Sequence, residues 1–225
     1  MSGTPPPIRV VLVDDQDLFR EGVKVIVDGQ PGMSVVGSAA DGRAAIRVVD
    51  ELSPDVVLMD IRMPEMDGVE ATRQIFAPDR VARRRHPVRV VVLTTFNLDD
   101  RAATAIRYGA SGFLLKDTTP ARLAEAIRTV YAGNAVLAPA DLSTLLDGQF
   151  RERAPTPPAY LSLTEKEQEV FLAVARGLSN TEIAGQLFTS ESTVKTHVGA
   201  ILRKLGLRDR VQIVVFAHEH GLAAR

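Results

Sequence analysis

Three acidic residues and one lysine stand at the ends of short apolar segments in the first half of the chain. Asp14 and Asp15 end the first of these segments, Asp60 ends the second and Lys116 ends the third. Segments rich in valine, isoleucine and leucine are typical of buried parallel strands. Because ligands bind at the carboxyl ends of the strands in an open α/β sheet, we expect these four side chains to converge at one sheet edge.

A cluster of three carboxylates predicts a bound divalent cation. Carboxylates within a few ångströms repel one another, so at least one of their pKa values rises unless a positive charge compensates. Mg²⁺ prefers oxygen ligands and keeps several waters, so two carboxylates and a backbone carbonyl would suffice to bind it. The alternative is structural, since an acid pair after a strand is often only a turn or a helix cap. The combined positions favour a Mg²⁺ site that supports phosphoryl chemistry.

The elements that would position these residues alternate regularly. Each predicted strand is rich in β-branched residues, is bounded by Gly, Pro or Asp, and is followed by a helical pattern. Five such units imply an α/β fold, a flavodoxin-like doubly wound five-stranded parallel sheet covered by helices on both faces. The predicted strands lie near 8–14, 34–39, 56–60, 88–94 and 111–115, and the helices near 17–29, 42–52, 68–77, 99–108 and 120–132.

The second half of the chain has only helical periodicity. Thr164 with Glu167, and Ser179 with Glu182, have the spacing of capping boxes, which begin helices. The second and third helices are separated by residues 188–189, which predicts a helix-turn-helix. We therefore expect an all-α domain of four helices, near 164–176, 180–187, 190–205 and 208–220.

The third of these helices has a polar face that fits a DNA groove. At about 100° per residue, this face is separate from an apolar stripe that would pack in the core. The major groove admits a helix, and lysine and arginine can reach guanine acceptors or phosphates. A solvated face is the alternative, because amphipathic surface helices have one in any case. The polar face comprises Ser192, Lys195, Thr196, Gly199 and Arg203, and the apolar stripe comprises Val194, Val198, Ile201, Leu202 and Leu205.

Composition limits the class of protein. The 225 residues contain no cysteine, so disulfides and thiolate metal sites are excluded. The N-terminus lacks the features of a signal peptide, and no apolar segment approaches membrane-spanning length, so we expect a cytoplasmic protein without a membrane partner. The net charge of −1 does not indicate nucleic acid, but residues 190–210 hold five basic residues against two acidic ones.

The first half resembles the receiver domain of two-component response regulators. The resemblance covers residues 8–132 and depends on four motifs that occur in order at strand ends. These are the pair Asp14–Asp15, the segment 58–68 (Leu-Met-Asp-Ile-Arg-Met-Pro-Glu-Met-Asp-Gly), Thr94, and the segment 109–116 (Gly-Ala-Ser-Gly-Phe-Leu-Leu-Lys).

This resemblance implies a role for each residue of the acidic cluster. Asp60 would accept a phosphoryl group from a cognate sensor histidine kinase and form an aspartyl phosphate. Asp15, Asp60 and the backbone carbonyl of Arg62 would bind Mg²⁺, and Asp14 would hold a water ligand of the metal. Lys116 would pair with a phosphate oxygen.

The resemblance also implies a switch, and the chain departs from the family in three places. Thr94 would turn toward the phosphoryl group, and Phe113 would move into the space that it leaves. Phe113 stands where the family often has tyrosine, and Asp117 where the family commonly has a cis proline. The segment 78–87 is longer than the usual connection, and we expect its cluster Arg83–Arg85 to lie in a solvated loop.

The second half resembles the LuxR-type DNA-binding domain, which places the chain in the NarL/FixJ class of response regulators. The resemblance is carried by the segments 163–171, 177–184 and 192–198. It implies binding to double-stranded promoter DNA. The predicted DNA-contacting residues are Thr189, Ser192, Thr193, Lys195, Thr196, Gly199 and Arg203, of which Lys195, Thr196 and Gly199 match positions that face base edges in the family.

The resemblance implies a homodimer on DNA, and the last helix offers a surface for a partner. It has two apolar stripes, of which one can pack on the domain core, and the other would then remain for a second copy. The stripe assigned to the dimer comprises Val211, Val214, Val215 and His218, and the other comprises Ile213, Phe216 and Ala217.

These features together predict a two-component transcriptional regulator rather than a turnover enzyme. One alternative is a DNA-binding regulator whose receiver domain is structural and independent of phosphate. Another is a Mg²⁺-dependent phosphotransferase or phosphatase, which multiple-turnover release of phosphate would reveal. We predict a disordered N-terminus over 1–7, a receiver domain over 8–132, a connecting helix and proline-rich linker over 133–160, and a LuxR-type domain over 161–225.

Overall fold

The chain folds as two compact units, Met1–Ala132 and Gly133–Arg225. A computed structural model describes residues 6–84, 86–95, 100–134, 136, 146 and 154–222. Most of the predicted disordered N-terminus and of the predicted connecting helix near 139–147 therefore lies outside the described residues.

The first unit contains a five-stranded parallel sheet with the order β2-β1-β3-β4-β5. This order confirms the predicted doubly wound fold. The strand order reverses between β1 and β3, so a crevice forms at their carboxyl ends. The central strand β3 is buried along its whole length, as expected for a sheet covered on both faces. The strands are β1 Ile8–Val13, β2 Met33–Ala39, β3 Val56–Asp60, β4 Arg89–Thr94 and β5 Gly112–Leu115.

Three helices of this unit begin at polar caps. The side chains of Asp41, Asp67 and Thr119 each accept a hydrogen bond from a backbone N–H in the first turn of the helix that follows. Such caps satisfy amide groups that have no partner within the helix. The helices are α1 Asp17–Asp28, α2 Gly42–Leu52, α3 Gly68–Ile75, α4 Pro78–Arg83, α5 Asp100–Arg107 and α6 Pro120–Tyr131.

The short helix α4 and the residue after it correct the prediction that the cluster Arg83–Arg85 lies in a solvated loop. Arg84 follows α4, and its side chain is only 7% exposed, with Nη2 lying 3.1 Å from Oδ1 of Asp50 on α2. Arg80 donates to the other oxygen of the same carboxylate. The solvated-loop interpretation is therefore wrong for Arg84, and Arg85 lies outside the described residues. A carboxylate on a distant helix holds this segment, and no local sequence pattern shows such a contact.

The second unit consists of helices in the part that is described. The predicted capping boxes are present at Thr164 with Glu167 and at Ser179 with Glu182, with both reciprocal hydrogen bonds formed in each. Phe171 is fully buried, and its ring packs edge-on against the ring of Tyr160. The helices are α7 Pro158–Leu161, α8 Glu165–Ala175, α9 Asn180–Gln186, α10 Glu191–Leu205 and α11 Arg210–Glu219.

One carboxylate joins the first turn of α8 to the last turn of α10. Oε2 of Glu167 accepts a hydrogen bond from the backbone N–H of Thr164 at 2.8 Å, and it also lies 2.6 Å from Nζ of Lys204. The Glu167 side chain is 8% exposed, so water screens this ion pair only partly. The capping box that the sequence predicts is therefore also a contact between two helices. None of the described helices has the length and the apolar character needed to span a membrane.

Candidate functional site

The four predicted residues converge at the carboxyl edge of the sheet. Asp14 follows β1, Asp60 ends β3 and Lys116 follows β5, and all three side chains are largely buried. Nζ of Lys116 lies 2.7 Å from Oδ2 of Asp14 and 2.9 Å from Oδ2 of Asp60. Asp15 is exposed, and carboxylate oxygens of all three aspartates lie within 4.8 Å of one another. The arrangement therefore presents hard oxygen ligands and one ammonium around a single point.

The turn after β5 fixes the backbone of Lys116. The Lys116 N–H donates to the carbonyl of Thr94 at 2.8 Å, and the Thr118 N–H donates to the carbonyl of Leu115 at 3.0 Å. The peptide bond between Lys116 and Asp117 is trans. The lysine is thus tied to the end of the neighbouring strand β4, which also carries the predicted switch residue.

Gly68 sets the position of Asp60, a role that the sequence motif did not reveal. The Gly68 N–H donates to the carbonyl of Ile61 at 2.9 Å, so α3 begins directly against the end of β3. A Cβ atom at Gly68 would lie 1.9 Å from the backbone oxygen of Asp60 and 3.0 Å from Cγ of Met59. Only glycine allows this approach of α3 to the strand that ends in Asp60.

Helix α1 contributes Arg20 to the site, a residue that was not predicted from the sequence. Nη1 of Arg20 donates to the backbone carbonyl of Asp14 at 2.5 Å, and Nη2 pairs with the carboxylate of Asp17. The side chain of Arg20 is 15% exposed. Its guanidinium therefore fixes the backbone next to the acid pair. An arginine one turn into the helix after the acid pair is the signal that could have indicated it.

Burial dominates the electrostatics of Asp60. Burial raises the pKa of the Asp60 carboxyl above its ordinary value, and repulsion by Asp14 adds to this effect, while Lys116 and the Arg62 N–H oppose it. Burial alone would lower the pKa of Lys116, but hydrogen bonds to Asp14 and Asp60 outweigh it, so the pKa of Lys116 is raised. The lysine stays charged, and the Asp60 carboxylate is under-solvated.

Replacing Asp60 by asparagine is expected to stabilise the fold in buffer with EDTA, and increasingly so as the pH rises. Since the pKa of Asp60 is higher in the folded chain than in the unfolded one, the native fold loses stability as the pH rises through this window. The asparagine variant lacks that loss. Thermal unfolding of both chains between about pH 4 and 7 measures the difference in Tm. A difference in Tm between the two chains that stays constant or shrinks as the pH rises would contradict the raised pKa of Asp60.

Thr94 and Phe113 lie on the same face of the sheet. Thr94 pairs with Leu115, and Val92 pairs with Phe113 in the parallel register of β4 and β5. Paired residues point to the same face and successive residues alternate, so Thr94 and Phe113 are diagonal neighbours. Both are buried. This placement is compatible with the predicted switch, and their roles stay predictions.

The predicted DNA-contacting residues lie along one exposed surface at α10. Ser192, Thr193, Lys195, Thr196, Gly199 and Arg203 are exposed, and Thr189 in the turn before the helix is half-buried. Val194 and Ile201 of the predicted core stripe are fully buried, and the other three are half-buried. Nothing lies within 4 Å of a Cβ built at Gly199, so this surface is open. We name the exposed set with Thr189 the α10 face.

The structure corrects the expectation that one stripe of the last helix is free. Val211, Val214 and Val215 are buried, as are Ile213 and Ala217. The ring of Phe216 packs edge-on against that of Phe171 on α8, and the ring of His220 packs on the ring of Phe216. Both apolar stripes therefore belong to the core within a single chain. In the stripe assigned to the dimer, only His218 is not fully buried, so a free apolar stripe for a second copy is wrong.

Two family models match the chain. Residues 10–128 match the response regulator receiver domain, and residues 161–217 match the bacterial regulatory proteins of the luxR family. The chain is a two-component response regulator of the NarL/FixJ class. Response regulators of this class are transcription regulators rather than turnover enzymes, their receiver domains imply a kinase partner, and their LuxR-type domains bind DNA.

Similar proteins extend over nearly the whole response regulator. It is 41% identical over 219 residues to the uncharacterized transcriptional regulatory protein YxjL of Bacillus subtilis, covering 96% of this chain and 97% of YxjL. It is 39% identical over 215 residues to the transcriptional regulatory protein LiaR of the same species, and the alignment covers 96% of this chain and 99% of LiaR. The crystal structure of response regulator ChrA, from a heme-sensing two-component system, matches with a TM-score of 0.50 and 32% identity. The match covers 96% of this chain and 98% of ChrA.

Proposed function

We propose that this response regulator is switched by phosphorylation of Asp60, which changes its binding to promoter DNA. An oxygen of Asp60 attacks the phosphorus as the bond from phosphorus to the histidine nitrogen of the kinase breaks, and that nitrogen keeps the electron pair. The observation that carries the proposal is the buried ammonium of Lys116, which lies 2.9 Å from Oδ2 of Asp60. There it can pair with an oxygen of the transferred group.

The residues around Asp60 fit Mg²⁺. Their ligand atoms are carboxylate oxygens, which this hard cation prefers, and three of them lie within 4.8 Å of one another. We assign Asp15, Asp60 and the Arg62 carbonyl as direct ligands and Asp14 to a water. When bound, the cation would supply positive charge next to the phosphoryl oxygens. The protein itself orients the nucleophile through Gly68 and provides the second positive charge through Lys116.

Phosphorylation would reach the output through Thr94 and Phe113. The Thr94 hydroxyl would turn to the phosphoryl group and Phe113 would fill the vacated space, so the switch would depend on packing. At the DNA, the α10 face would enter the major groove, with Lys195 and Arg203 as its cations.

The domain division, the location and the assembly are also proposals. We assign residues 8–132 to the receiver, 133–160 to the connection and 161–225 to the DNA-binding domain. A protein that serves both a kinase and DNA would work in the cytoplasm. Two copies would bind two half-sites on DNA. Because α11 buries its apolar stripes, the contact between the copies would involve a surface other than Val211, Val214 and Val215.

Intact-mass measurement tests the switch. The native chain, Asp60→Ala, and Asp79→Ala as a control on an exposed aspartate of α4, are treated with an acyl phosphate and Mg²⁺. DNA affinity is measured on the same samples with a duplex selected from a random library. We expect a single phosphoryl adduct on the native chain and on Asp79→Ala, with a changed DNA affinity, and no adduct on Asp60→Ala. An adduct on Asp60→Ala, or an adduct that leaves DNA affinity unchanged, would overturn the proposal.

A further inference from the structure

The ammonium of Lys116 contacts an aromatic ring as well as the two carboxylates. Its Nζ lies 4.8 Å from the centroid of the Phe19 ring on α1, which is within the range of a cation–π interaction. The Lys116 side chain is 8% exposed, so water screens this attraction weakly. The position of the ammonium is therefore set by three groups, of which two are carboxylates and one is uncharged.

The ring of Phe19 is half-buried and faces an apolar cavity. Phe19 lines a cavity of about 60 Å³ together with Val23, Leu93 and Leu123, and Lys116 lines the same cavity. Helix α1, the ends of β4 and β5, and the start of α6 thus all contribute residues to this cavity. The ring is uncharged, so it forms no ion pair with Asp14 or Asp60 that a cation or a phosphoryl group could break.

This independence matters when a cation or a phosphoryl group reaches the carboxylates. Asp14 and Asp60 attract Lys116 as long as their charges are free. A divalent cation on the same oxygens competes for them, and phosphorylation of Asp60 removes one carboxylate altogether. The attraction of the aromatic ring persists through both events, because the ring binds neither the cation nor the phosphoryl group.

We propose that Phe19 is a positioning residue for Lys116, which keeps its ammonium where the phosphoryl oxygens arrive. The inference rests on the proposed phosphorylation of Asp60. Phe19 touches neither the phosphodonor nor the reacting carboxylate in this role, and acts only through the lysine. Loss of the ring should slow phosphoryl transfer about 3- to 10-fold, as expected for one partly buried cation–π contact.

A series of fluorinated phenylalanines at position 19 tests the proposal. Fluorine withdraws electron density from the ring face with little change in shape, so the series weakens the cation–π attraction while it preserves packing. We expect the rate of phosphorylation by an acyl phosphate at saturating Mg²⁺ to fall steadily from phenylalanine to pentafluorophenylalanine. Phe19→Leu, which keeps an apolar side chain without a π face, should be at least as slow as the last member.

Two further measurements separate positioning from a general effect on α1. Mg²⁺ affinity should not fall across the series, because Lys116 is not a metal ligand and a loosened ammonium competes less for Asp14 and Asp60, whereas a distorted α1 would disturb the adjacent Asp14 and Asp15 and lower that affinity. In a Lys116→Met background the fluorinated series should show no trend, because the cation is gone. A trend that survives in this background would assign the effect to packing and overturn the proposal.

The outcomes distinguish this inference from the function on which it rests. A native chain that takes no phosphoryl group from any donor, its kinase included, refutes the phosphorylation switch itself. A native chain that is phosphorylated, together with a fluorinated series that reacts at one constant rate, leaves the switch intact and refutes the role of Phe19.

Discussion

Replacing Gly68 by alanine is expected to abolish Mg²⁺-dependent phosphorylation of Asp60 and to destabilise the receiver domain by about 3 kcal/mol. The added Cβ would lie 1.9 Å from the backbone oxygen of Asp60, which no side-chain rotation can relieve. Either α3 or the end of β3 has to move, and β3 is buried on both faces. Denaturant unfolding gives the free energy, and intact mass gives the phosphoryl adduct.

The same substitution at Gly22 is the matched control. Gly22 is exposed within α1, and nothing lies within 4 Å of its added Cβ. Alanine favours a helix over glycine by about 1 kcal/mol, so Gly22→Ala should keep the adduct and slightly raise stability. Native stability and a full yield of adduct in Gly68→Ala would show that α3 does not set the position of Asp60.

Replacing Lys195 by alanine is expected to weaken DNA binding about 10- to 100-fold without changing phosphorylation. Lys195 is exposed on the α10 face, among small residues that allow close approach to a base edge. The measurement is fluorescence anisotropy with a duplex selected by the native chain, together with intact mass for the adduct.

Lys166 on α8 provides the control for net charge. It is also exposed and pairs with Glu169 at 2.8 Å, so Lys166→Ala removes the same charge from the same domain. The DNA affinity of the Lys166→Ala variant should stay close to that of the native chain. Two further measurements on Lys195→Ala show which kind of contact was lost. If Lys195 contacts a phosphate, the slope of log affinity against log salt concentration falls by about 1. If it contacts a base, specificity relaxes at one position of the DNA site. Undiminished affinity in Lys195→Ala would refute the assigned face.

The sheet and its acidic edge could be predicted because each depends on local patterns. Short apolar segments specify parallel strands, and the chain order of the acids places them at strand ends, so Asp14, Asp60 and Lys116 converge as expected. Capping boxes likewise depend on spacing within one turn, and both formed in the structure. Topology then follows from the handedness of the crossovers.

The missed features depend on contacts between distant residues. The ion pair of Arg84 with Asp50 joins residues 34 positions apart, and no periodicity encodes it. The last helix is similar, because its pattern shows two apolar stripes but does not show that both are covered within one chain. Gly68 was visible in the sequence, but its role depends on the 1.9 Å approach of α3 to Asp60, which only coordinates reveal.

The two contacts of Glu167 couple the start of α8 to the end of α10 through a single side chain. The carboxylate that completes the capping box of α8 also pairs with Lys204 in the last turn of α10, several turns from the start of that helix. The packing of α10 therefore depends on the same side chain that completes the cap of α8, so removing the Glu167 carboxylate is expected to destabilise both helices at once.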